Sequence, residues 1–247
     1  MTIKSDREIK LMKEAGHINY LAHKEIEKYI RPGVTTKELD KHIHDFVVAH
    51  GAYPSCLGYE GFPASACISV NDEVVHGIPS NRKLKDGDIV KLDFTVCKAG
   101  YESDMTRTYL VGNVSDTIKQ SVIDTEQALY EGIKQVRPGA RIGDVSYAIM
   151  SYAHSHGLSV VEELVGHGIG TEMHESPDVP NYGNPNTGMV LKKGMTIAIE
   201  PMLNLGERYV EMLDNDWTIV TRDGMPSVHF EHTVCVTEDG YEILTGE

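Results

Sequence analysis

Asp93 stands inside the run Lys91-Leu92-Asp93-Phe94-Thr95-Val96, an otherwise apolar and β-branched stretch that reads as a strand. Asp104 follows on a second β-like stretch, after the turn signal Lys98-Ala99-Gly100. With residues 98 and 99 at the hairpin tip, 97 pairs with 100 and Asp93 faces Asp104 directly. Two carboxylates so placed repel. One would keep its proton unless a cation sat between them, and a divalent metal removes the conflict.

A matching pair comes later in the chain. Glu200 ends Thr196-Ile197-Ala198-Ile199 and is followed by Pro201; Glu231 lies in Val228-His229-Phe230-Glu231-His232-Thr233-Val234. Gly166-His167-Gly168 adds an imidazole on a backbone stripped of bulk. Any one of these residues has an ordinary explanation, an acid on a solvated strand face or a histidine in a loop. Taken together, four carboxylates and one imidazole are a hard, oxygen-rich donor set that suits a pair of Mn, Fe, Co or Zn ions. Shared carboxylates hold such a pair roughly 3.5–4 Å apart, a spacing that activates a bridging water.

The elements that must position these groups occur twice. Ser5 with Glu8 and Thr35 with Glu38 have capping-box spacing. Helical periodicity from Ile9 predicts a first helix to about Ile30, stopped by Arg31-Pro32-Gly33. A second helix with Leu39, Ile43, Phe46 and Val47 on one face closes at Gly51. The same plan returns with a helix over 117–136, then Arg137-Pro138-Gly139, then a helix closed by Gly157. Arg31 and Arg137, Leu39 and Val145, Ile43 and Ile149, and Gly51 and Gly157 all lie 106 residues apart. This implies an internal duplication, with halves of roughly 1–112 and 117–247 in one catalytic domain. Strands are expected over 89–96, 102–112, 196–199 and 228–237, which makes an α+β fold. Two like halves meeting at a pseudo-twofold axis would leave a cleft between them.

The bulk numbers narrow the function. Hydrophobic residues are 40% and charged residues 24%, as in an ordinary folded domain. A net charge of −14 argues against broad nucleic-acid binding. Cys56, Cys67, Cys97 and Cys235 form no C-x-x-C pair, so neither a zinc ribbon nor a dithiol redox site is indicated. The polar start Met1-Thr2-Ile3-Lys4-Ser5-Asp6 has no apolar leader core. No apolar run approaches the roughly 18 residues of a membrane span. A cytoplasmic protein with reduced thiols is expected.

The sequence resembles the type I methionine aminopeptidases along nearly its whole length. The resemblance rests on Cys56-Leu57-Gly58-Tyr59, Val74-Val75-His76-Gly77-Ile78-Pro79, Lys91-Leu92-Asp93-Phe94 with Ser103-Asp104, Gly166-His167-Gly168-Ile169-Gly170, Met173-His174-Glu175, Ile199-Glu200-Pro201-Met202 and Phe230-Glu231-His232-Thr233. It implies the pita-bread (creatinase/aminopeptidase) fold, with pseudo-twofold-related halves, a central antiparallel sheet and helices outside. It also implies two divalent metal ions (Co, Mn, Fe or Zn) on Asp93, Asp104, His167, Glu200 and Glu231, with Asp104 and Glu231 bridging. The reaction would remove an N-terminal methionine from peptides and nascent chains with a small second residue, using a metal-activated bridging water. Glu200 would relay the water proton, and His174 and His76 would contact the scissile carbonyl or amide. Cys56, Tyr59, Phe62, Cys67, Met173 and Trp217 would line the methionine pocket; without the resemblance these residues read as core. A monomer is expected, free of sequence-specific nucleic-acid binding and of membrane, with ribosome contact compatible because the substrate emerges there.

Three positions depart from the family pattern. Phe62 and Met173 stand where Tyr and Phe are more usual, and His229 replaces a usual Gln. The start close to the catalytic region matches a short bacterial-type form. Two competing readings share the fold. A proline-directed aminopeptidase or prolidase would carry a separate N-terminal domain. A non-catalytic RNA- or ribosome-binding relative would lose ligands and gain basic segments, whereas here all four acids and the imidazole are present.

Overall fold

The computed structural model describes residues 2–247. The Ser5 side chain accepts from the Glu8 amide while the Glu8 carboxylate accepts from the Ser5 amide, and this reciprocal cap starts α1 (Asp6–Ile26). Thr35 and Glu38 repeat the device at the head of α2 (Thr36–Ala49). The first helix ends before the predicted Ile30, because Glu27–Tyr29 tighten into a 3-10 turn ahead of Arg31-Pro32-Gly33. In the second half come α3 (Asp116–Ile133) and α4 (Ile142–Ser155). α4 starts at 142 and stops at 155, each 106 residues beyond the matching end of α2. No helix among the described residues is long and apolar enough to cross a membrane.

Nine strands form the central sheet. They are β1 (Tyr53–Pro54), β2 (Cys67–Val70), β3 (Ile89–Lys98), β4 (Tyr101–Leu110), β5 (Val165–Gly168), β6 (Glu175–Pro180), β7 (Thr196–Ile199), β8 (Glu231–Val236) and β9 (Tyr241–Ile243). Their order is β1-β3-β4-β8-β7-β5-β6, with β2 also on β3 and β9 also on β8. Every pairing in it is antiparallel. The predicted strand over 228–237 is broken at Phe230. Ser227–His229 pairs with Met202–Asn204 in a small separate sheet, and only β8 continues into the central one. The cause is Pro201, which lies between β7 and Met202–Asn204 and has no amide to donate where the ladder would continue.

The two faces of the sheet differ. Val90, Leu92, Phe94 and Val96 of β3 pack against Ile18, Ala22 and Ile26 of α1 and Leu39, Ile43 and Val47 of α2. Ile197, Ile199, Val234 and Val236 pack in the same way against Leu129, Ile133, Val145 and Ile149 of α3 and α4. The helices therefore cover one face. Strand alternation sends Lys91, Asp93 and Thr95 to the other.

His23 of α1 is buried between the layers at 1% exposure. Its ring stacks on Phe94 at 4.3 Å, its Nε2 donates to the Met105 carbonyl at 3.1 Å, and its Nδ1 meets the Tyr109 hydroxyl at 3.0 Å. Burial pushes its pKa down to about 3 from 6.5. The unfolded chain therefore binds a proton that the folded chain refuses, and the stability is complete above pH 6.5 and lost as the pH falls toward 3. One such group gives a slope of about 1.4 kcal/mol per pH unit. His23→Gln should be less stable at pH 7 yet lose stability more slowly on acidification. Urea unfolding of both proteins at pH 7, 6 and 5 checks this, and equal slopes would reject it.

Candidate metal centre and active site

The β3–β4 hairpin turns on Ala99 and Gly100, both left-handed (φ 52° and 81°), and Lys98 pairs with Tyr101. This tip lies one residue beyond the expected one. Asp93 consequently pairs with Thr106 and Asp104 with Thr95, so the two aspartates are diagonal neighbours rather than directly opposed. A two-residue shift preserves strand parity, and both still project from the helix-free face. Glu231 also pairs with Thr106. Continuing the register of β7 and β8 by one residue puts Glu200 opposite Glu231. Asp93, Thr106, Glu231 and Glu200 thus form one row across the sheet. Asp104 lies in the next row, and His167 enters it from β5, whose Gly168 pairs with Ile197. Gly166 and Gly168 let β5 sit this close: a Cβ on either would fall 2.4 Å from a backbone oxygen, of Ala198 or Ser176.

Burial of these acids is severe. Asp104 and Glu231 are 5% and 2% exposed. Burial and the Asp104 charge raise the Asp93 pKa to about 8. Burial, then the neighbouring carboxylates, push Glu200 and Glu231 far above the ordinary carboxyl range, and burial raises Asp104. Few donors offset this. Thr106 Oγ1 donates to Glu231 Oε2 at 2.8 Å and the Met105 amide to Asp104 Oδ1 at 3.1 Å, while Glu231 Oε1 is buried without a partner. His167 Nδ1 is committed to the Gly168 carbonyl at 2.9 Å. Its Nε2 therefore faces Glu200 Oε1 at 3.5 Å and Asp104 Oδ2 at 3.9 Å. Burial lowers the His167 pKa, leaving a neutral imidazole with a free lone pair. One donor atom each from Asp104, His167 and Glu231 lies within 4.8 Å of the others. A buried, proton-hungry oxygen set with an orphaned carboxylate oxygen and a neutral imidazole fits a divalent cation.

The same cavity, about 140 Å³, holds the other sequence-predicted residues: Cys56, Tyr59, Phe62, Cys67, His76, Met173, His174 and Trp217. Phe62 and Trp217 meet edge to face at 5.0 Å. Cys56, Phe62, Cys67 and Met173 are buried, and all four cysteines are free thiols. The Tyr59 hydroxyl lies 2.7 Å from His174 Nδ1, and the His174 and His167 rings are 4.3 Å apart. His76 has a left-handed backbone (φ 57°), a conformation costly to a residue with a Cβ, and burial lowers its pKa to about 4. Sequence reading missed Thr95, Thr106 and Glu60, although two-residue alternation from Asp93 and Asp104 points to both threonines. His229, noted only as a departure, is buried with both ring nitrogens unpartnered and Nε2 3.7 Å from Glu200 Oε2.

The sequence profile of metallopeptidase family M24 matches residues 10–238. The chain belongs to this family. It is 50% identical to methionine aminopeptidase 1 of Bacillus subtilis over 242 residues, 98% of each chain. The crystal structure of methionine aminopeptidase from Rickettsia prowazekii superposes with a TM-score of 0.99 at 42% identity, covering all of both chains. An Xaa-Pro dipeptidase from Bacillus anthracis shares the fold at TM-score 0.76 and 27% identity, but this chain spans only 62% of it. The central antiparallel sheet with its outer helices is the pita-bread fold of family M24.

If the carboxylates require a divalent cation, removing one of them should relieve the metal-free protein. Glu231→Gln should unfold at a higher temperature than wild type in EDTA, and should lose the rise that metal gives. At a hundredfold excess over Kd that rise is worth about 2.7 kcal/mol, or roughly 5–10 °C for a chain of this size. Thermal melts of both proteins with EDTA and with Mn decide the matter; an unchanged response to Mn in the variant would remove Glu231 from the site.

Proposed function

We propose that the chain is a methionyl aminopeptidase that holds two divalent ions on Asp93, Asp104, His167, Glu200 and Glu231, with Asp104 and Glu231 shared between them. Charge supports two ions: four carboxylates carry −4, and a single divalent cation would leave −2 buried on the sheet. When bound, the ions would supply a bridging water acidified to a nucleophile near neutral pH and positive charge for the substrate amine and carbonyl.

The observation that carries the reading is that the acid–imidazole cluster and a soft-walled apolar pocket share one cavity. Sulfur and aromatic walls suit a thioether side chain. With methionine seated among Cys56, Phe62, Cys67, Met173 and Trp217, its carbonyl would lie over the carboxylates. Glu200 would accept the proton of the attacking water and return it to the leaving amine. With the Tyr59 hydroxyl, 2.7 Å away, donating to His174 Nδ1, His174 would carry its proton on Nε2 and offer an N–H to the developing oxygen. Burial, then the His167 ring beside it, keep His174 neutral in this role. His76 would contact the scissile amide. The confined cavity supports a small second residue.

This reading takes the chain as one domain of two repeated halves, supported by the matching offsets of α2 and α4. It also takes the protein as a cytoplasmic monomer acting on nascent chains near the ribosome, where its substrates arise.

Metal-stripped protein given Mn, Co, Fe or Zn in turn should release methionine from Met-Ala-Ser, more slowly from Met-Leu-Ser, and not cleave Ala-Pro-Ala. Glu200→Gln should lower kcat by about 10²–10⁴-fold. Cleavage of Ala-Pro-Ala in preference would favour the proline-directed peptidase. No turnover with any metal in folded protein would favour a binding module.

A further inference from the structure

Residues 169–174, between β5 and β6, have no regular structure, yet they carry Met173 and His174 into the cavity. Such a segment needs fixing from outside, and its fixed point is Glu175. Glu175 Oε1 accepts from the Thr171 amide at 3.1 Å, closing the loop on itself. Glu175 Oε2 accepts from Lys4 Nζ at 2.7 Å and from Thr2 Oγ1 at 2.8 Å, 171 and 173 residues away in the chain.

Lys4 is held as firmly as the loop it reaches. Its amide donates to the Gly194 carbonyl at 2.8 Å, and the next residue, Ser5, is the N-cap of α1. Its side chain is 4% exposed, and that of Glu175 is 12%. Gly170 leaves room for it, since a Cβ there would lie 2.4 Å from Lys4 Cε and 2.4 Å from Glu175 Oε1. The start of the loop is tied separately, by the Glu102 amide to the Gly170 carbonyl at 2.8 Å. A buried ion pair adds little net stability over an apolar pair of the same shape, because desolvation offsets its attraction. What it does fix is position.

We propose that Lys4 is a positioning residue for the reaction: through Glu175 it holds the loop that presents Met173 and His174 to the substrate. This rests on the methionyl aminopeptidase reading for the roles of those two residues. The strap makes the segment before α1 part of the active site although none of its atoms line the cavity.

The test uses full-length protein loaded with Mn. Lys4→Met should lower kcat on Met-Ala-Ser by about ten- to a hundredfold, the cost of a misplaced catalytic contact. Amide exchange in 170–175 should quicken while β7 and β8 stay protected. Lys4→Arg should restore most of kcat. The double variant Lys4→Met/Glu175→Gln, with no unpaired buried charge, should regain thermal stability but not turnover. Wild-type kcat in the double variant would overturn the proposal, because the single defect would then come from the orphaned charge alone. Unchanged exchange in 170–175 of Lys4→Met would overturn it whatever the activity. Faster exchange there in a protein whose wild type turns over nothing would uphold the strap and reject the function instead.

Discussion

Four carboxylates in the middle of a buried sheet cannot all be charged without a cation beside them, and this conflict orders the rest of the structure. Two unit charges at 4 Å repel by about 4 kcal/mol in a medium of effective dielectric 20, before either is charged for leaving water. Burial and the Asp104 charge raise the Asp93 pKa to about 8, so in the absence of metal protons hold the cluster together. The helix-covered face must then supply the favourable free energy. Leu92 and Phe94, which flank Asp93, and Ile197 and Ile199, three and one positions before Glu200, do so. A single strand therefore carries both the strain of the site and the packing that withstands it.

That arrangement depends on register. A one-residue slip between β3 and β4 would send Asp104 into the helix layer and Ser103 or Met105 into the site. The left-handed pair Ala99-Gly100 sets the pairing at one end. At the other end, the interruption at Pro201 ends the β7–β8 ladder at Ile199 and His232, one residue short of Glu200 and Glu231. The last acids on the two strands stand at the edge of the break, where backbone pairing no longer fills the space in front of them. Thr106, placed between Asp93 and Glu231 in the row, donates a hydrogen bond without adding charge.

How much of this could be read from the sequence follows from the range of each interaction. The capping boxes at Ser5 and Thr35 and the helix repeat are local and were legible. So were the types of the five candidate ligands, since acids in aliphatic strands are out of place. The face they occupy was legible as well, because parity survives a misplaced hairpin tip. Their rows were not, because a two-residue shift leaves the hydrophobic pattern unchanged. The break at Phe230 depends on a proline far away in the chain, between β7 and Met202–Asn204. Lys91, inside the strand expected over 89–96, is 1% exposed and gives its ammonium to the Asn71 and Ser227 carbonyls. Nothing near position 91 announces either partner.

The division between strands and loops completes the physical picture. The candidate ligands are on or at the ends of strands, whose positions are shared among many hydrogen bonds and cannot drift singly. Tyr59, Phe62, Met173, His174 and Trp217 are all outside the central sheet, where preference can change without disturbing the cluster. The cost of that freedom is that each such segment needs its own restraint. Tyr59 and His174 restrain each other across the cavity. The Asn215 side chain accepts from the amides of Trp217 and Thr218, and Thr218 Oγ1 reaches the His76 carbonyl at 3.3 Å. His76 and Trp217, which face each other at 6.4 Å, are thus tied through their backbones as well. The departures Phe62 and Met173 both fall on this restrained but exchangeable shell. On the proposed reading they would alter the wall that meets the substrate side chain and leave the rows of acids as they are.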